Sequence, residues 1–230
     1  MNFFLLVLLS VTVQQSLPRA EDVLDRMEAV LAPIEDFTAT LEGEVSMENI
    51  RVPKAVMQMF YKKPDKIHFE STSFSMVPRD GFTLSPSGVR KKYDVKTVAF
   101  IDTGGVRWYK LQLAAKESKT RLRQAYVYVD AEKWTMMRFE STPYENRTIA
   151  FDFSYTTVEG RFMLVSEVLA TFGNVGPKTD DIFMIPDDAP SPASQIREMQ
   201  RMLRNGFVRF TYKDYRVNTG LPDSLFSNPE

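Results

Sequence analysis

Phe37-Thr38-Ala39-Thr40-Leu41-Glu42-Gly43-Glu44-Val45-Ser46-Met47-Glu48 is the stretch on which the fold turns. Its odd-numbered positions are apolar or glycine and its even-numbered positions are hydroxylic or acidic. A period of two sorts side chains onto two faces only in an extended strand. Twelve residues at ~3.3 Å per residue give roughly 40 Å of strand, about twice the usual length. A strand that long with one dry face belongs to a large, curved sheet.

Working outward, Ala20 to Ala32 carries Val23, Leu24, Met27, Val30 and Leu31 at helical spacing, with Glu21 and Asp22 in the first turn and Pro33 beyond the end. An amphipathic helix is expected there. On the other side, strand-like runs separated by turn signals are expected at 54–62, 66–71, 92–101, 106–114, 124–129, 135–141, 147–157, 161–172 and 207–217. Gly104-Gly105 and Glu159-Gly160 read as tight hairpin turns. Pro186–Ser194 reads as a loop, and Ser194–Asn205 as a second amphipathic helix with Ile196, Met199, Met202 and Leu203 inward and Gly206 as its cap.

About ten antiparallel strands in succession make a meander that either closes on itself or needs a plug. The expected fold is therefore mainly β with helices: a curved antiparallel sheet that closes on itself or is plugged by the two amphipathic helices. The first residues, Met1 to Val13, are an apolar core breaking at Gln14-Gln15, the length of a signal peptide and short of a membrane span. Residues 1–20 are read as the leader and 21–230 as one domain of about 210 residues, a size that supports one large core. The mature chain is expected to be soluble and monomeric.

With 29 basic against 30 acidic residues, nothing in the charge balance points to nucleic acid. There is no cysteine for a disulfide or a lipid anchor. His68 is the only histidine, so histidine triads and multi-histidine zinc sites are excluded by count. Asp102, Asp130, Glu140 and Asp152 read as solvated acids on polar faces or turns. Asp180-Asp181 and Asp187-Asp188 lack calcium-loop spacing, and no phosphate-binding glycine loop is present. No catalytic group, metal or cofactor is expected.

What remains is apolar excess, with 12 Met and 28 aromatics counted as 2 Trp, 9 Tyr and 17 Phe. Methionine adapts to ligands of variable shape, so a Met-rich concavity under short helices suits acyl chains. The apolar faces assign Leu41, Val45, Met57, Met59, Phe69, Phe139, Phe151, Phe153, Phe162, Leu164 and Phe210 to the cavity. Met27, Leu31, Met199 and Leu203 from the two helices, with Phe74 and Met76 from the apolar loop 74–82, form its lid. Lys62-Lys63 and Arg90-Lys91-Lys92 are basic clusters at strand ends that read as solubilising charge or as a docking rim.

The order helix, long alternating strands, helix and closing strand resembles the LolA-like family of periplasmic lipoprotein carriers. The closing segment from Phe207 to Phe226 and the strand-turn-strand Phe60-Tyr61-Lys62-Lys63-Pro64-Asp65-Lys66-Ile67-His68-Phe69-Glu70 carry the likeness, which covers nearly all of the expected mature chain. The longer central loop 72–87 departs from the best-known carriers. The resemblance implies a curved antiparallel sheet forming an incomplete barrel of about ten strands plugged by two or three helices, and a periplasmic carrier that shelters the acyl chains of lipoproteins or other lipids and takes them toward the outer membrane. It also implies an inner-membrane release complex and an outer-membrane acceptor as partners. The alternative it leaves open is a lipid-sensing regulator of the MucB/RseB type.

Overall fold

The computed structural model describes residues 16–47, 50–51, 54–71, 85–117, 124–144, 147–174 and 206–227. The expected leader up to residue 15, the loop with Phe74 and Met76, and the helix Ser194–Asn205 with Met199 and Leu203 lie outside them. The described chain opens with helix α1 (Ala20–Leu31), then strand β1 (Asp36–Met47), the two-residue β2 (Ile50–Arg51), β3 (Ala55–Lys62) and β4 (Lys66–Ser71). Helix α2 (Pro86–Lys92) leads into β5 (Tyr93–Thr103), β6 (Val106–Ala115), β7 (Gln124–Asp130), β8 (Met136–Tyr144), β9 (Arg147–Val158) and β10 (Phe162–Asn174). After β11 (Phe207–Val217) comes a short 3-10 turn, Asp223–Phe226.

All the described strands belong to one sheet in the order β4-β3-β1-β11-β10-β9-β8-β7-β6-β5, with β2 paired to β1 off that path. Every pairing is antiparallel. The two ends, β4 and β5, do not pair with each other, so the barrel is incomplete, as the resemblance implies. Consecutive strands are neighbours from β5 to β10, which short hairpins make possible. Gly104 and Gly105 both have positive φ, 60° and 82°, as a two-residue turn between paired Thr103 and Val106 requires.

The long-range step is the insertion of β11 between β1 and β10, and it is incomplete. Only five residue pairs, Glu167↔Thr211 to Thr171↔Phe207, join β10 to β11. Beyond them β10 continues against β9, β11 continues against β1, and the sheet divides. The Tyr215 hydroxyl bridges the division by donating to the Val165 carbonyl at 2.6 Å. Two bulges mark the same region, between Val165 and Glu167 in β10 and opposite Thr38–Thr40 in β11, where Asp214 has φ 52°. Bulges sharpen local bending and twist.

Helix α1 buries Ala20, Val23, Leu24 and Met27. They share a cluster with Leu111, Leu113, Ala125, Val127, Val129, Met136 and Phe139, which places the helix against the inner face of β6 to β8. Burying one such aliphatic side chain contributes roughly 1.5–3 kcal/mol. A second cluster, around Ala39, Leu41, Met57, Met59, Val168 and Tyr212, fills the other half of the concave face. Phe151 and Phe153 touch both.

Three sequence expectations need correction. The segment 86–92 is a helix, within a region read partly as loop and partly as strand: Ser85 caps it by accepting from Gly88 N at 3.1 Å, and Pro86 occupies the first turn. The run expected to end at 172 extends further, with Gly173 continuing β10 because it pairs with Thr148. The run expected to end at 141 extends to Tyr144, with Pro143 inside β8 where the register shifts between Ser141 and Tyr144, so no ladder donor is demanded of it.

Candidate functional site

Between α1 and the divided half of the sheet lies a cavity of about 260 Å³. The C-terminal half of α1 (Met27, Val30, Leu31), the first turn of α2 (Ser85, Pro86) and the β7–β8 connection (Trp134, Thr135) border it on one side. Met59 and Tyr61 of β3, Phe151, Phe153 and Tyr155 of β9, Met163 to Val165 and Val168 of β10, and Phe210, Tyr212 and Tyr215 of β11 form the rest. The volume exceeds the roughly 150 Å³ of a dry cavity that admits benzene and sits just below the ~300–1,000 Å³ of common ligand pockets.

None of the described lining residues is an acid, a lysine, an arginine or a histidine. Polarity comes from hydroxyls, and most are already engaged. Tyr155 donates to the Met136 carbonyl at 2.7 Å, Tyr215 to the Val165 carbonyl at 2.6 Å and Tyr61 to the Pro64 carbonyl at 3.3 Å. Burial pushes the phenols of Tyr155, Tyr212 and Tyr215 well above their ordinary range, so they stay neutral donors. Trp134 adopts φ 57°, unusual for a bulky side chain. Its ring stacks on Tyr109 at 5.6 Å and lies under the guanidinium of Arg26, 4.5 Å away, which fastens this corner to α1.

The structure places Met27, Leu31, Met59, Phe151, Phe153, Leu164 and Phe210 on the wall, all residues that the sequence assigns to cavity or lid. Others of that set lie in packed clusters instead. Leu41 and Met57 oppose each other across β1 and β3 and are 0% and 2% exposed, sealed by their neighbours. Phe139 packs beneath α1, and Phe162 packs with Ile34 and Val217 at the foot of the division. Phe69 lies beside the second cluster, and Val45 stands opposite Val208 off the wall. Alternation names a strand's inner face; the capping helix decides which part of that face is filled.

Several wall residues escaped sequence reading. Strict alternation from Phe210 and Tyr212 would aim Asp214 inward, but the bulge at Asp214 substitutes Tyr215. Val165 and Val168 share the wall for the same reason on β10. Trp134 sits in a connection with no period to read, and Thr135, the first residue of the expected run 135–141, lies just before β8. Outside the cavity, His68 is on the polar side of β4, 3.7 Å from Glu70 Oε1, and Arg138 pairs with Asp152 at 2.7 Å. Among the described residues there is no group of three or more His, Cys, Asp or Glu able to hold a metal, and no helix is long and apolar enough to cross a membrane.

The described chain is thus an open antiparallel sheet with helices over a compartment whose described wall carries no charged side chain. The particular fold is LolA-like. The chain superposes on a LolA superfamily protein from Nitrosomonas europaea with a TM-score of 0.55 at 10% identity, over 92% of this chain and 99% of that one. A domain from Vibrio parahaemolyticus described as an outer membrane lipoprotein-sorting protein gives 0.55 at 12% identity, over 90% and 97% of the two chains. A DUF1329 family protein from Desulfovibrio piger gives 0.60 at 12%, over 90% and 95%. No protein-family model and no curated protein matches the sequence. Identities this low carry the fold alone.

Proposed function

We propose that this protein is a periplasmic lipid carrier that takes acyl chains of lipoproteins, or of other lipids, into the cavity under α1 and carries them toward the outer membrane. The observation behind this reading is the wall of an approximately 260 Å³ compartment, uncharged among the described residues, in a fold otherwise seen in a lipoprotein-sorting domain. An acyl chain leaving water gains about 0.8 kcal/mol per buried CH₂. Six methylenes would contribute about 5 kcal/mol, enough to hold a lipid in transit and little enough to release it. Partners would be a donor complex at the inner membrane and an acceptor at the outer membrane. The chain acts by binding, without a chemical step.

The test is transfer. The protein is incubated with phospholipid vesicles carrying a triacylated lipoprotein, the vesicles are sedimented, and the supernatant is examined by native mass spectrometry. A one-to-one complex with the lipoprotein or a lipid is expected. A supernatant holding only the bare chain would overturn the proposal.

A further inference from the structure

The ladder between β10 and β11 stops at Glu167↔Thr211, although β10 begins at Phe162 and β11 runs on to Val217. The cavity reaches this division. Met163, Leu164 and Val165 all border it, and consecutive residues of a strand point to opposite faces, so the cavity extends round the edge of β10 and is not confined to one face. Tyr212 and Tyr215 border it from the β11 side. Next to these two lips, Thr156 and Thr157, paired with Leu164 and Met163, and Lys213 and Asp214 of β11 are exposed to solvent. The division therefore lies between the cavity and water. Its lips are joined by the Tyr215 hydroxyl, which donates to the Val165 carbonyl at 2.6 Å, and by the packing of Phe162 and Leu164 with Ile34 and Val217. Apolar packing is non-directional, so an acyl chain can take its place; the hydrogen bond has no such substitute.

Resting on the acyl-binding reading above, we propose that an acyl chain enters and leaves the cavity sideways, between β10 and β11, and that Tyr215 is the bar across this passage. Parting the lips breaks the Tyr215 bond. Lifting α1 instead would bring Val23, Leu24 and Met27, which are 0%, 3% and 6% exposed, into water, and would pull Arg26 off Trp134 and Asp25 and Glu28 off Arg90. The side wall is therefore the weaker boundary of the compartment. A chain that goes in by its methyl end leaves its polar group outside, beside Thr156, Thr157, Lys213 and Asp214, and no polar group has to cross the apolar wall. Because one route serves both directions, loosening the bar speeds entry and exit alike and leaves the affinity nearly unchanged.

The rates are read by stopped flow from tryptophan emission, since Trp134 stands on the same wall. The protein is mixed with methyl decanoate below its solubility limit for entry, and the loaded protein with excess phosphatidylcholine vesicles for exit. In Tyr215→Phe both rates are expected to rise about five-fold, the worth of one neutral hydrogen bond, with the dissociation constant changed less than about two-fold. Met163→Ala, which shortens the facing lip, is expected to speed both as well, and it decides the matter should Tyr215→Phe not fold. Ser141→Ala, which removes a 2.8 Å bond to the Gln124 carbonyl away from the cavity, and Arg90→Ala, which loosens α1, are expected to keep the unmodified rates. Unchanged rates in a folded Tyr215→Phe, or in Met163→Ala where the first variant does not fold, would overturn the passage and leave the acyl cavity standing. An equal acceleration by Arg90→Ala or Ser141→Ala would do the same. Failure of methyl decanoate to bind the unmodified protein would remove the acyl reading and the passage together.

Discussion

Asp36 shows how much one side chain holds at the entrance of β1. It is 3% exposed and accepts from Thr219 N at 2.8 Å, Gly220 N at 2.9 Å and Leu221 N at 3.1 Å, with the Thr219 hydroxyl at 3.3 Å. Asp36→Ala would orphan three backbone donors that tie the segment after β11 to the first strand. The expected loss is about 3 kcal/mol, seen as a melting temperature lowered by roughly 6–12 °C. Phe153 poses the opposite case, because it lines the cavity as well as touching both clusters. In Phe153→Asp the vacant space lets water follow the carboxylate, so folding should survive with a melting temperature only a few degrees lower, while a fluorescent acyl probe binds at least about ten-fold more weakly. Outright unfolding would make Phe153 a core residue, and normal probe binding would remove it from the site.

Among elements, α1 is the piece that makes a cavity out of a sheet. Its anchors Val23 and Leu24 are 0% and 3% exposed, and Leu24→Ala should cost about 3 kcal/mol by chemical denaturation. Arg90 of α2 pairs with both Asp25 and Glu28 of α1, which links the two helices. These ions are partly exposed and contribute about 1 kcal/mol or less. Arg90→Ala should therefore leave global stability nearly unchanged while raising amide exchange across 20–31, because local opening responds to local contacts. Unchanged exchange in α1 would show that its apolar face alone sets its opening. The basic cluster Arg90-Lys91-Lys92, read from sequence as solubilising charge or as a docking rim, thus commits its first member to holding the cap.

For the whole molecule, the two large clusters share Phe151 and Phe153 and should melt together. A ligand held between them stabilises both at once. At a ligand concentration a hundred times its dissociation constant, linkage raises stability by about 2.7 kcal/mol. For a chain of this size that is roughly 5–10 °C, in a single calorimetric transition. Two transitions, or a shift in only part of the heat absorbed, would show that the β5–β8 half and the β1–β11 half fold independently.

What the sequence by itself determined is everything that local period controls. The alternation from Phe37 onward, the hairpin glycines and the spacing of Val23, Leu24 and Met27 specify strands, turns and an amphipathic helix, and their succession specifies an antiparallel meander. These are decided by neighbours a few residues apart, so they can be read in one dimension. Only the tertiary structure decided which inner-facing residues surround empty space. Leu41 and Phe151 carry the same signal in their strands, yet one is sealed between β3 and β11 and the other borders the cavity. Tyr215 reached the wall through a bulge at Asp214 that no alternation announces. Space is what remains after distant elements have packed. Its boundary is set by the incomplete β10–β11 ladder and by where α1 lies, and both depend on contacts between residues far apart in the chain.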